Sequence, residues 1–352
     1  MKAPLSATMN SPSDEFERSS PAGRSSCFTM VHPFRDVLYY NCKYNPLLTA
    51  LQHYAGTALP FVANSLSFIE IAETGDYMDS RVVNLYHELD VIARMGIGVR
   101  HMTGRELGEV WKATAAIDGL LYVPADLYMI PGYGNYRASH WGHWFLITDR
   151  DDSGDRVVTI EAGDGEPTNA IEKQLTIQVL SKAHQCWVED AEHTWDAGRP
   201  DDWKDELSAI VRASPASDIS HAEAVETYRT LVRNCRPKLE DALARLENEG
   251  ADSCCTAMEE ADYDWVMFAH RLKGLVRLRR TEAYRMCQLF GPRDEATCSV
   301  NQSATILRQL FYRALRATVV KGKAQNPDYY VHRLREMLCL ERRALRALTS
   351  RE

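Results

Sequence analysis

A change of period constrains this chain most. From Asp218 to the C-terminus the apolar residues recur at helical spacing over long segments, whereas residues 119–160 carry short β-prone runs separated by turn residues. Helices are expected at 219–247, with an interruption at Pro237, and at 256–290, 302–320 and 328–348. Asp218 reads as an N-cap, and Asn326-Pro327 as a cap followed by a first-turn proline. Upstream, Leu47, Leu51 and Ala55 recur every four residues and mark a helix that begins near Cys42, with Pro46 tolerated in its first turn. Gly119-Leu-Leu-Tyr-Val-Pro and Leu127-Tyr-Met-Ile read as strands, and Pro131-Gly-Tyr-Gly-Asn135 as a turn. His143-Trp-Phe-Leu-Ile-Thr and Val157-Val-Thr-Ile flank Arg150-Asp-Asp-Ser-Gly-Asp155, the pattern of a β-hairpin. Strands are expected to stop after Pro167, and 175–187 and 203–213 to be helical. The fold class that follows is α+β, an antiparallel sheet followed by an all-helical part. The expected organisation is a disordered tail over 1–27, an α+β domain over 28–190, a connection over 191–217 and a helical domain over 218–352.

Composition removes several classes of function. The 352 residues are 45% apolar, a length and composition that suit two domains and are far from disordered or collagenous chains. Nine cysteines, an odd number without paired CxxC spacing, argue for reduced thiols rather than a disulfide framework. Residues 1–26 lack the apolar stretch of a signal peptide, and no run of about 18 apolar residues occurs, so a cytoplasmic protein without membrane contact is expected. The net charge of −8 argues against nucleic acid as a partner. That charge is unevenly spread. From Trp265 onward 18 Lys and Arg face 7 Asp and Glu, a net +11, which leaves 23 against 42, a net −19, for the rest.

The residues able to carry chemistry are Cys42 at a helix start, His143 at a strand start, and an acid at the end of the following strand. A thiol attacks only as thiolate, and both a helix N-terminus and a neighbouring imidazolium favour that form. The order Cys, then His about a hundred residues on, then a carboxylate is that of papain-like folds. The other eight cysteines, Cys254-Cys255 included, are expected in packing roles, since free cysteine is among the most buried residue types. His140 and His143 form an HxxH pair, but i and i+3 on a strand face opposite sides, so no metal is expected. His140 then ends a loop or touches substrate. Asp126 either fixes that loop against the site or forms a turn. Asp149-Arg-Asp-Asp-Ser-Gly fails as a calcium loop because position twelve is Ile160, and Gly132-Tyr-Gly134 lacks the third glycine of a dinucleotide site.

Three segments in order, Tyr39-Tyr40-Asn41-Cys42-Lys-Tyr-Asn-Pro-Leu-Leu, Asp126-Leu-Tyr-Met-Ile-Pro and His140-Trp-Gly-His143-Trp-Phe-Leu-Ile-Thr-Asp, resemble the N-terminal domain of the butirosin biosynthesis protein H family. The resemblance covers about residues 28–190 and implies a fold like that of papain-like bacteriocin-processing peptidases. It implies an acyltransferase of natural-product biosynthesis. Such an enzyme takes an acyl group from the phosphopantetheine arm of an acyl or peptidyl carrier protein and delivers it to a small-molecule or aminoacyl amine. No other cofactor is implied. By the match Cys42 is the nucleophile, His143 the base and Glu161 the acid, with Asp164 in Ala162-Gly-Asp-Gly as its competitor. The glutamine that papain-like peptidases place before the cysteine is missing, which leaves Asn41 and Arg35 as expected oxyanion or substrate contacts. The alternatives are a cysteine peptidase, amidase or thioester hydrolase with the same residues, and a catalytically silent binding protein of the same fold.

Overall fold

The computed structural model describes residues 31–37, 39, 42–71, 78–102, 106–150, 155–162, 170–190, 204, 206–214, 219–250, 264–319 and 326–350. The expected tail, Asn41, Asp164, Asp218, Cys254 and Cys255 lie outside them. The architecture is α+β, with antiparallel sheets and a helical C-terminal region.

Two short helices come first, α1 (Tyr44–Ala55) and α2 (Leu59–Ala63), followed by a hairpin of β1 (Ser65–Ile71) and β2 (Met78–Asn84). Next are α3 (Glu88–Arg94), β3 (Ile97–His101), α4 (Leu107–Ala115) and β4 (Leu120–Asp126). The long hairpin is β5 (Gly142–Arg150) with β6 (Arg156–Ala162); after it come β7 (Ala170–Thr176), α5 (Ile177–Asp190) and β8 (Ser208–Arg212). The main sheet has the order β3-β8-β4-β5-β6-β7, every adjacent pair antiparallel.

Both faces of this sheet are covered. Leu47, Leu48 and Leu51 of α1 pack with Tyr122, Leu146 and Ile160, while Leu107, Val110 and Trp111 of α4 and Leu180 and Ala183 of α5 pack with Leu121, Val123, Phe145 and Ile147. Alternate residues of one strand thus enter opposite cores, so β4 is buried along its whole length and reads as a continuous apolar run rather than an alternating one.

The strands do not stop at Pro167. Residues expected as helix at 203–213 include β8, which lies between β3 and β4 in the sheet. A five-residue strand shows too little periodicity to declare itself, and its Ile210-Val211 pair is fixed by partners about 90 and 110 residues upstream. Leu127–Met129 is a 3-10 turn rather than a strand, the Tyr128 N–H being met by the Asp126 carboxylate.

The C-terminal region consists of α6 (His221–Arg245), α7 (Trp265–Phe290), α8 (Glu295–Val319) and α9 (Pro327–Thr349). A reciprocal Ser220–Glu223 capping box starts α6. Pro237 does not interrupt the helix. Burial of Tyr228, Leu231, Val232, Cys235 and Leu239 outweighs a proline cost of about 3 kcal/mol. These helices pack against β1 and β2 through Leu66, Phe68, Ile69, Ile71 and Met78. A buried ionic network accompanies the packing: Glu282 accepts from Ser67 N, Ser67 Oγ and Tyr228, and is paired with Arg285. Arg285 donates to Val62 O at 2.7 Å, Ser65 Oγ at 2.9 Å and Tyr39 Oη at 3.1 Å. Tyr39 stands three residues before Cys42, so α7 anchors the segment that leads into α1.

Candidate functional site

Cys42 lies in the turn immediately before α1, and local hydrogen bonding holds it there. Asn45, fully buried in the first turn of α1, accepts from Tyr39 N at 3.0 Å and donates to Val37 O at 2.8 Å, lacing the incoming segment onto the helix. Thr49 accepts from Phe34 N at 2.9 Å. On the sheet side, Tyr122 donates to Lys43 O at 2.9 Å, and the Lys43 ammonium lies 4.8 Å from the centre of the Trp144 ring. The thiol position is thus fixed from both the segment before it and the sheet beneath it.

His143 is the second residue of β5 and Glu161 the sixth of β6. Phe145 pairs directly with Glu161, and His143, two residues before Phe145, shares its side of the strand. Strand register therefore brings the imidazole and the carboxylate together. His143 Nε2 lies 2.7 Å from Glu161 Oε2, with side-chain exposures of 8% and 1%. Neither atom completes a well-angled hydrogen bond, so the attraction is between charges in contact. The Cys42 thiol lies close enough to the same imidazole to favour its charged form.

The electrostatics follow from burial and contact. Burial works to lower the His143 pKa, but the contacts with Cys42 and Glu161, and then their charges, outweigh it and raise the value to about 9. Burial likewise opposes ionisation of Glu161. The His143 contact and charge, then Lys173 and Tyr133, prevail and hold its carboxyl below the usual range. At neutral pH the ring is an imidazolium between a carboxylate and a sulfur, the partner a thiolate requires.

Sequence reasoning missed two members of this cluster. Tyr133 donates to Glu161 Oε1, and Lys173 Nζ lies 2.8 Å from the same oxygen and 3.8 Å from the centre of the Tyr133 ring. Tyr133 was hidden in a Gly-Tyr-Gly turn, and Lys173 belongs to β7, beyond the point where strands were expected to end. Gly142 also has a reason: a Cβ there would lie 2.4 Å from Cζ3 of Trp187, so only glycine lets the ring pack beside the start of β5.

The remaining sequence-derived residues fall elsewhere. Arg35 is exposed on the segment before α1, and Asn41 and Asp164 lie outside the described residues; Glu161 is in contact with His143. Asp126 is fully buried. Its Oδ1 accepts from Tyr128 N and Trp141 N, both at 2.9 Å, and its Oδ2 lies 2.6 Å from His140 Nδ1 and 3.6 Å from Cys186 Sγ. Asp126 thus forms the turn after β4 and also ties down the far end of the loop before β5. His140 and His143 enter separate clusters.

Of the C-terminal cations, Arg279 and Arg285 are buried in the ionic network, and Arg333 and Arg342 pair with Glu336 and Glu247. Arg343 and Arg346 are exposed on α9. Among the described residues no helix is long and apolar enough to cross a membrane. No protein-family model matches the chain, and no curated protein matches it.

Proposed function

We propose that this chain is a papain-like cysteine acyltransferase that moves an acyl group from a carrier-protein thioester, through a thioester on Cys42, to an amine. The observation that carries the reading is the meeting of Cys42, at the entrance to α1, with His143, whose other side rests on the buried carboxylate of Glu161. The resemblance of the three motifs to the butirosin biosynthesis protein H family supports acyl transfer over hydrolysis.

In the first half-reaction the Cys42 thiolate attacks the thioester carbonyl carbon. The phosphopantetheine thiol leaves with the proton of His143, and the acyl group stays on Cys42. In the second half-reaction the acceptor amine attacks that carbonyl, gives its proton to His143 and expels the Cys42 thiolate. Exchange between two thioesters is nearly isoenergetic, so the protein's task is to position the reactants and stabilise the oxyanion. Glu161, itself fixed by Lys173 and Tyr133, holds the ring between the two half-reactions. No further cofactor takes part in these steps.

A panel of acyl-loaded carrier proteins incubated with a mixture of amines tests the reading, products being identified by mass. Amide formation with wild type and none with Cys42→Ala is expected. Release of free acid alone, unaffected by amine, would make the chain a hydrolase; turnover retained in Cys42→Ala would remove the nucleophile altogether.

A further inference from the structure

Beside the Cys42 cluster lies a second group of reactive side chains that the proposed reaction leaves unused. The ligand atoms of Asp126, His140 and Cys186 all lie within 4.8 Å of one another, and they come from the end of β4, the loop before β5 and the middle of α5. Each is oriented by contacts outside the group. Two backbone N–H groups fix Asp126 Oδ1, which turns Oδ2 toward the other two residues. The His140 ring stacks on Tyr128 at 4.4 Å with an interplanar angle of 15°. His184, also on α5, hydrogen-bonds Pro124 O at 2.7 Å and so holds the helix that carries Cys186 against the end of β4. A carboxylate, an imidazole and a thiol held in this way, each braced by a further contact, are the donor set of a borderline divalent cation.

We propose that Asp126 Oδ2, His140 Nδ1 and Cys186 Sγ form a three-ligand site for a divalent cation of the zinc class, with water as the fourth ligand. Metal–ligand distances of about 2.0–2.3 Å require tetrahedral neighbours about 3.3–3.7 Å apart. The Asp126–Cys186 separation of 3.6 Å already meets this, and the Asp126–His140 separation of 2.6 Å must widen by less than about 1 Å. The His140 side chain is 38% exposed, so a shift of that size displaces it toward solvent rather than into packed core. Binding releases the thiol proton of Cys186 to solvent and moves the remaining imidazole proton to Nε2. The HxxH spacing that argued against a metal is respected, since His143 takes no part. The cation would pin the loop that leads into β5 three residues before His143. Its role there is positional, and its existence does not depend on acyl transfer.

The test uses the full chain, stripped with a chelator and titrated with Co2+, whose thiolate charge-transfer absorption in the near ultraviolet reports sulfur ligation. We expect one equivalent to bind with that band in wild type and in Cys42→Ala. Cys186→Ser should abolish the band, and His140→Ala should weaken binding at least tenfold. Zn2+ should displace the cobalt. Absence of the band in wild type overturns the proposal, as does a band kept in Cys186→Ser and lost in Cys42→Ala, which would put the cation on the other cluster. Should circular dichroism show Cys186→Ser unfolded, His140→Ala decides, and unchanged affinity there overturns the site.

Discussion

Replacing Glu161 with Gln preserves volume and deletes the charge that faces both His143 Nε2 and Lys173. With Glu161 and Cys42 in place, His143 titrates at about 9 instead of 6.5, burial opposing and the two partners prevailing. At about 1.36 kcal/mol per pH unit, the difference amounts to about 3 kcal/mol in favour of the imidazolium. Because the folded value lies above the unfolded one, this stabilisation is fully present below about pH 6.5 and is lost as pH rises through about 9. Glu161 is one of two raising partners, and with it gone the burial that works against charge on His143 is less opposed. Glu161→Gln should therefore lower the midpoint by about one unit or more. Near about pH 8 the wild-type ring would be charged in most molecules, and the variant ring far less so. The assay is 13C-histidine NMR over a pH series, with the His143 resonance identified by its loss in His143→Ala. A wild-type midpoint near 6.5, or one that Glu161→Gln leaves at about 9, refutes the ion-pair reasoning.

Limiting iodoacetamide should modify Cys42 before any other cysteine, since it stands at the entrance to a helix beside an imidazole held in its charged form; faster alkylation elsewhere at neutral pH contradicts the nucleophile assignment. His143→Ala should slow acyl transfer by about 10²–10⁴, with Glu161→Gln costing less and Asp164→Asn less still; the reverse order of the two acids moves the orienting role to Asp164. Arg285→Leu leaves Glu282 buried without its nearest cation and should cost about 3–5 kcal/mol in urea unfolding; a loss below about 1 kcal/mol means the network does not anchor the segment before Cys42.

The parts of the fold legible in the sequence were those with local signals. The β5–β6 hairpin shows itself through a turn-rich break between two β-branched runs, and the last helix through Asn326-Pro327, where the Asn326 side chain does accept from Asp328 N. Elements defined by distant neighbours stayed hidden: β8 reads as helix because a short central strand buried by α-helices has no alternation to display, and Lys173 went unnoticed with β7. At the site, Cys42, His143 and Glu161 stand out by residue type and by their order along the chain, and strand register brings the last two together. The residues that hold them were not. Asn45 looked like an ordinary helix-start residue, and its three partnerships with Tyr39, Val37 and Phe34 exist only once the chain before Cys42 folds back along α1. The contact of Cys186 with Asp126 is likewise invisible in the sequence, because nothing near Cys186 announces a residue some sixty positions upstream.

The most direct measurement of the central claim is intact-mass spectrometry of the chain quenched in acid within seconds of mixing with an acyl-loaded carrier protein, followed by peptide mapping. The account predicts one added acyl mass on Cys42, removable by hydroxylamine, chased to an amide by an amine acceptor, and absent in Cys42→Ala. An acyl group mapped to a different residue, or amide formed while Cys42 never carries the acyl mass, would contradict it.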